Sequence, residues 1–139
     1  MISLAIVDSG PLIAAANRAD PDHDRCVAVL EQPELRLLIP ALCVAEVSYL
    51  LGKEQGPAVE ARFLRALRDF DVRAPTSDEW HRIADLVERY RNLPLGGTDA
   101  SVVSLAEKVG ADLIVTLDRR HFDVVEGLTG RRFRLLPEP

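Results

Sequence analysis

At 139 residues, with 47% hydrophobic and 28% charged residues, the chain has the composition of one ordinary globular domain, long enough for a proper core. That balance excludes a disordered chain, and no apolar run approaches the ~20 residues of a membrane span. The formal net charge of −5 runs against the basic excess usual in nucleic-acid binders, while suiting a metal site or a cationic partner.

The first predicted strand is Ile2-Ser3-Leu4-Ala5-Ile6-Val7, an apolar run that reads as a buried central strand of a parallel sheet and ends in Asp8. It lacks a basic leader and a small-residue cleavage site, so it is read as part of the fold and not as a signal peptide. Ser9-Gly10-Pro11 breaks the strand, and Pro11 suits the first position of a helix over Pro11–Asn17. Asp20-Pro21 opens a second helix over Asp22–Glu31, with Asp20 as N-cap and an apolar stripe of Cys26, Val27, Val29 and Leu30. Leu35–Ile39 is a short strand ending at Pro40. A long helix from Ala41 to Lys53 follows, stopped by Gly56-Pro57 and lined on one side by Val44, Val47, Leu50 and Leu51. Glu46 is an awkward charge in that largely apolar segment.

From Pro57 to Phe70 the pattern is amphipathic, with Val59, Phe63, Leu64, Leu67 and Phe70 on one face. Arg62, Arg65 and Arg68 recur on the other, as a solvated face or a phosphate track. Asp71–Ala74 is a short strand or extended link. Thr76 and Glu79 form a capping-box pair for the helix Ser77–Arg91, whose core face reads as Trp80, Ile83, Ala84 and Val87. The turn Leu95-Gly96-Gly97-Thr98-Asp99 leads into a helix over Ala100–Val109, closed by Gly110. Asp112–Thr116 is the second strongly apolar strand, and it too runs into an acid, Leu117-Asp118. A turn of helix near Arg120–Phe122 and a last strand Phe133–Leu136 complete the chain. Strands alternating with helices imply a single domain over residues 1–139: an α/β, three-layer α/β/α fold with a mostly parallel central sheet. Cys26 and Cys43 have neither CxxC nor Cys/His spacing and read as buried free thiols in a reducing cytoplasm. His23, His81 and His121 are widely spaced and read as surface or capping residues.

Two apolar strands, one near each end of the chain, therefore terminate in aspartate. If they are neighbours in a parallel sheet, Asp8 and Asp118 meet at one crevice, outside the carboxyl ends of the strands where ligands bind in such sheets. Asp99 starts the helix leading into the Asp118 strand, and Glu46 lies one turn into the helix after the second strand. Four carboxylates together repel one another and lose hydration, so they demand a cation. All-oxygen ligation selects Mg²⁺ or Mn²⁺, and the absence of clustered His and Cys disfavours zinc. Such a site suits phosphate chemistry. Three of the four acids also have a plainer reading, and Glu46, in its apolar helix, is the hardest to excuse structurally. Asp8 caps a helix or satisfies a turn, Asp99 caps its helix, and Asp118 is a turn residue paired with Arg119.

Asp8 in Ile-Val-Asp-Ser-Gly-Pro-Leu, Glu46 in Val-Ala-Glu-Val, Asp99 in Gly-Gly-Thr-Asp-Ala and Asp118 in Thr-Leu-Asp-Arg-Arg-His-Phe resemble the motifs of a PIN-domain nuclease. Their order, and the length of the chain, look most like the VapC-type ribonuclease toxins of bacterial type II toxin–antitoxin systems. The resemblance implies that Asp8, Glu46, Asp99 and Asp118 bind the metal of an RNA-cleaving site. It gives Thr116 the task of steadying Asp118, and Ser9 that of a hydrogen-bonding residue of the site. It also implies a homodimer inhibited by a cognate antitoxin, whose C-terminal segment lies in an apolar groove between the early helices and sends a basic side chain toward the acids. RNA contacts are expected from Lys53, Arg62, Arg65 and Arg68, or from Arg131, Arg132 and Arg134.

Other classes fit less well. A noncatalytic RNA- or protein-binding module on the same scaffold needs some defect beyond the four acids, all of which are present. A phosphoacceptor signalling domain needs an acceptor Asp after a central strand and a late Lys, neither of which is evident. A haloacid-type phosphatase needs a DxD motif after its first strand, where Asp8-Ser9-Gly10 stands instead.

Overall fold

The computed structural model describes residues 1–128 and 130–139. Its centre is β1 (Ser3–Val7), whose last three residues are inaccessible to solvent. On one side of β1 lie β2 (Leu35–Pro40) and then β3 (Asp71–Arg73); on the other lie β4 (Leu113–Val115) and β5 (Arg134–Leu136). The sheet order is β3-β2-β1-β4-β5, and every pairing is parallel, which goes beyond the mostly parallel sheet read from the sequence. Continuous apolar runs dictate this arrangement, because strands without polar alternation must be covered on both faces.

The chain runs outward from β1 to β2 and β3, then returns across the sheet to β4. The order thus reverses between β1 and β4, which opens a crevice at their carboxyl ends.

Seven helices cover the sheet among the described residues: α1 (Ser9–Ala15), α2 (His23–Leu30), α3 (Ala41–Gln55), α4 (Pro57–Ala66), α5 (Ser77–Arg89), α6 (Gly97–Val109) and α7 (Arg119–Phe122). A 3-10 turn, Leu67–Asp69, follows α4. The most buried helix is α6, where Ala100 to Ala106 are all withdrawn from solvent against β1, β2 and β4. Its small residues and valines permit that close approach. Gly110 ends it in the left-handed conformation (φ 72°), which costs glycine least. Outside α6 packs α5, tied to it by the Arg82 guanidinium donating twice to the Glu107 carboxylate at 2.9 Å.

Helix α5 begins with the expected capping box. Thr76 Oγ1 accepts from Glu79 N at 3.4 Å, and Glu79 Oε1 accepts from Thr76 N at 3.1 Å. Its core face keeps Ile83 and Val87 of the four residues expected there. Ile83 and Leu86 are buried, Val87 and Tyr90 pack against the core, and Trp80 (51% exposed) and Ala84 face solvent.

Several boundaries shift by a turn. Helix α1 starts at Ser9 and α6 at Gly97, so the helices overrun the glycine-containing turns that were expected to precede them. At α2 the N-cap is Asp22, not Asp20, whose carboxylate instead accepts from Asp22 N at 2.8 Å. Helix α4 buries no residue fully, and Leu64 is exposed; its Val59 and Phe63, with Leu67 and Phe70 beyond it, are only partly covered. Cys26 and Cys43 are buried free thiols, as expected. Among the described residues no helix is long and apolar enough to cross a membrane.

Candidate active site

The parallel pairing of β1 with β4 aligns Val7 with Val115, so Asp8 and Thr116 leave the sheet side by side. Asp8 N donates to Val115 O at 2.9 Å, which fixes the backbone of the acid. Asp8 stands at the N-cap of α1, yet its side chain makes no capping bond. The carboxylate points elsewhere, which removes the plain reading of Asp8 as a helix cap. Thr116 Oγ1 donates to Asp8 Oδ2 at 2.8 Å and accepts from Asp118 N at 2.9 Å. One hydroxyl thus ties both strand-end acids together.

Asp118 caps the short helix α7, accepting from His121 N at 3.1 Å, and its other oxygen is hydrogen-bonded to His121 Nδ1. It is not paired with Arg119. That guanidinium reaches the other way, to Pro137 O at 2.7 Å and Leu135 O at 3.4 Å, and clasps the end of β5. Asp99 is the third residue of α6, behind the true N-cap Gly96, where the amino end of a helix favours a negative charge. Glu46 lies in the second turn of α3 and is exposed, so its apolar neighbours do not enclose it as the sequence suggested. The buried residues of α3 are Cys43, Val47 and Leu51, which leaves Glu46 and Tyr49 on the outward side.

These four acids line one cleft of about 420 Å³, together with Ser9, Gly10, Ile13 and Leu117. None of the described lining residues is basic. The electrostatic result is clear at Asp8, which is only 6% exposed. Burial raises its carboxyl from the usual 3.8 to about 6; the Thr116 and Ser9 hydrogen bonds pull it down, and Asp99 and Glu46 push it up. Burial likewise raises Asp99, followed by repulsion from Asp118. Behind Asp8, the Cys43 sulfur lies 4.0 Å from Oδ1, and burial followed by that carboxylate holds the thiol far above its ordinary range. Cys43 is therefore an inert wall of the site.

Ser9 adds a hydroxyl to the donor set, with only the Cys43 thiol beside it. It is 3% exposed, and its Oγ is buried without a hydrogen-bond partner, in a cleft whose other polar groups are all anionic. A hard divalent cation, with the waters it carries, fits this donor set: it neutralises the carboxylates and gives the hydroxyl a partner.

The sequence reading missed His121. One of its ring nitrogens, an Asp99 oxygen and an Asp118 oxygen all lie within 4.8 Å of one another. The Asp-x-x-His spacing, which places both side chains on one helical turn, was the available signal. His23 does behave structurally: its Nδ1 donates to Ala14 O at 2.8 Å and staples α2 to α1.

A second, larger cavity of about 590 Å³ opens between α1, α2 and α4, walled by Leu12, Leu30, Ile39, Val59, Phe63, Leu67 and Phe70. Arg18, His23 and Arg62 also line it, and Arg62 is exposed, as are Arg65 and Arg68. Of the late basic run, Arg134 is engaged with Glu138 at 3.3 Å.

Fold and cleft together define a parallel α/β/α domain with a carboxylate cluster at its topological switch point. The family model described as PIN domain matches residues 5–128. Ribonuclease VapC26 of Mycobacterium tuberculosis (strain ATCC 25618 / H37Rv) is 31% identical over 134 residues, which span 95% of this chain and 99% of that protein. The chain belongs to the PIN-domain family, in its VapC-type branch. Solved structures agree on the fold. The sarcin-ricin loop cleaving toxin VapC20 of Mycobacterium tuberculosis superposes with a TM-score of 0.73 at 17% identity, over 79% of this chain and 86% of that one. DNA-bound VapBC of Salmonella typhimurium gives 0.71 at 18% identity, over 97% and 98%. A toxin–antitoxin complex from Klebsiella pneumoniae gives 0.68 at 22%, over 88% and 93%.

Proposed function

We propose that this chain is the ribonuclease toxin of a VapC-type toxin–antitoxin pair and hydrolyses RNA phosphodiester bonds with Mg²⁺ or Mn²⁺ held by Asp8, Glu46, Asp99 and Asp118. The observation that carries the reading is the convergence of four carboxylates from four separate elements on one cleft with no basic lining residue. The printed name of the relative, Ribonuclease VapC26, supports the reaction class. A divalent ion in such a site supplies activation of water and neutralisation of phosphate oxygens.

The chain's own groups do the rest. Thr116 holds Asp8 and Asp118 in fixed relation, so that two ligands from adjacent strands are preorganised. Asp99 brings a carboxylate from the amino end of α6, and exposed Glu46 adds one from α3 to the same cleft. Buried Ser9 offers a hydroxyl to a bound water or phosphate oxygen.

The partner on this reading is a cognate antitoxin whose apolar segment occupies the groove between α1, α2 and α4. Support comes from structural neighbours described as VapBC or toxin–antitoxin complexes. A homodimer acting in the cytoplasm completes the proposal.

The test is cleavage of total cellular RNA by the purified chain and by Asp99→Asn, with Mg²⁺, with Mn²⁺ and with chelator. Discrete fragments from the unmodified protein alone, lost with chelator, are expected. Cleavage that persists in Asp99→Asn at saturating metal overturns the site assignment. A protein that binds RNA but never cuts it is a noncatalytic module.

A further inference from the structure

Resting on the reading of the cleft as a divalent-metal site, we propose that His121 is itself a metal ligand, giving the site one nitrogen donor among its carboxylates and a preference for Mn²⁺ over Mg²⁺. The argument begins with how the imidazole is held. Helix α7 is a single turn, and Phe122, inaccessible to solvent, anchors it in the core. Asp118 grips the turn from the other end by accepting from His121 N at 3.1 Å. The His121 side chain is itself mostly withdrawn from solvent, at 17% exposure. Packing and capping therefore fix the ring where Asp118 and Asp99 already converge.

Geometry then decides its role. Ligands about 2.1–2.2 Å from an ion lie at most about 4.4 Å apart, so a set within 4.8 Å needs only small side-chain adjustments to share one ion. Among the described residues this is the group whose donor atoms already lie close enough for that, and it includes the histidine. Without an ion, Nδ1 of His121 and the Asp118 carboxylate are hydrogen-bonded to each other. These are the two donors an ion draws apart.

Chemistry sets the selectivity. Mg²⁺ binds oxygen and surrenders its waters reluctantly, whereas Mn²⁺, although it too favours oxygen ligands, is the softer ion and exchanges a water for an imidazole more readily. Exchanging one oxygen position for an imidazole nitrogen thus moves preference toward Mn²⁺.

The full chain loaded with Mn²⁺ alone provides the direct test. Pulsed electron paramagnetic resonance of the bound ion is expected to show coupling to an imidazole ¹⁴N nucleus, lost in both His121→Asn and His121→Gln. Mn²⁺ affinity, measured calorimetrically, is expected to fall on the order of tenfold in His121→Asn, with Mg²⁺ affinity changing less than about threefold. Bound Mn²⁺ without nitrogen coupling in the unmodified protein overturns the proposal and leaves His121 as a residue that only orients Asp118. Coupling that survives both substitutions assigns the nitrogen to another residue and overturns it as well. If Asp99→Asn and Asp8→Asn leave Mn²⁺ binding unchanged, the cleft is not the metal site, and the underlying reading fails with it.

Discussion

Asp8→Asn is expected to make the metal-free protein more stable at neutral pH while removing one ligand of the proposed metal site. Folding raises the Asp8 carboxyl from the usual 3.8 to about 6, chiefly by burial. A group with a raised native pKa binds its proton more tightly in the folded chain. Its contribution to stability is therefore fully present below the unfolded value and is lost as pH climbs through about 6. Well above both values the buried charge costs about 3 kcal/mol relative to the protonated form. Asparagine copies the neutral carboxyl and can still accept from Thr116, but its amide hydrogens meet few acceptors, which costs about 1–2 kcal/mol. The net gain at pH 7.5 is about 1–2 kcal/mol, which for 139 residues raises Tm by roughly 3–7 °C. Thermal melts of both proteins in chelator at pH 7.5 and 4.5 measure it. The gain should vanish at the lower pH, where the unmodified protein has taken up most of its proton. Added Mn²⁺ should raise Tm of the unmodified protein and leave that of Asp8→Asn in place. An Asp8→Asn protein that melts below the unmodified one at pH 7.5, or a difference that ignores pH, refutes the account of Asp8 as a buried charge kept for function.

Three further outcomes follow from the same geometry. Thr116→Val removes the hydroxyl shared by Asp8 and Asp118, and should cost about 2 kcal/mol, a drop in Tm of roughly 7 °C; a drop below about 1 °C means the hydroxyl carries neither bond in solution. Thr76→Ala deletes half of the capping box of α5 and should cost about 1 kcal/mol without changing metal affinity, which denaturant melts and calorimetry check together. Arg65→Glu, on the exposed side of α4, should weaken RNA binding by the catalytically silent Asp99→Asn protein and flatten its salt dependence by roughly one unit of slope; unchanged binding returns that face to solvent.

What the sequence revealed and what it concealed divide along a physical line. Strand identity was legible at β1 and β4 because continuous apolar runs ending in a single acid have few other uses. The capping box of α5 was legible because it is a contact between residues three apart. The face of α5 was legible only in part: Ile83 and Val87 face the core as expected, but Trp80 and Ala84 are exposed, and Leu86 and Tyr90 complete the buried side. Glu46 looked enclosed because its neighbours in sequence are apolar, but a helix turns them to different sides, and Glu46 shares the outward one with Tyr49. Thr116 was read as a support for Asp118. Its bond to Asp8 spans 108 residues and exists only because β1 and β4 are neighbours. His121 was passed over because it was compared with the other histidines, and not with the acid one turn before it.

The acidic balance of the chain, at odds with an anionic substrate when taken as a whole, becomes intelligible once its charges are located. The carboxylates that matter are at the crevice where the sheet reverses, and there they lack any basic neighbour among the described lining residues. An isolated cluster of this kind repels phosphate and attracts cations. The exposed arginines Arg65 and Arg68 lie elsewhere, on α4 and the turn after it, and the groove beside them carries Arg18 and Arg62. On the proposed reading the exposed arginines can attract an anion, and the acidic pocket repels one until it is neutralised. On the proposed reading, RNA affinity at the cleft itself depends on metal, whereas affinity at the α4 face depends only on salt. Binding of a short RNA by Asp99→Asn should therefore lose most of its response to Mn²⁺ while keeping its response to ionic strength. Equal loss of both would place the arginines and the carboxylates in one binding surface and refute this division of roles.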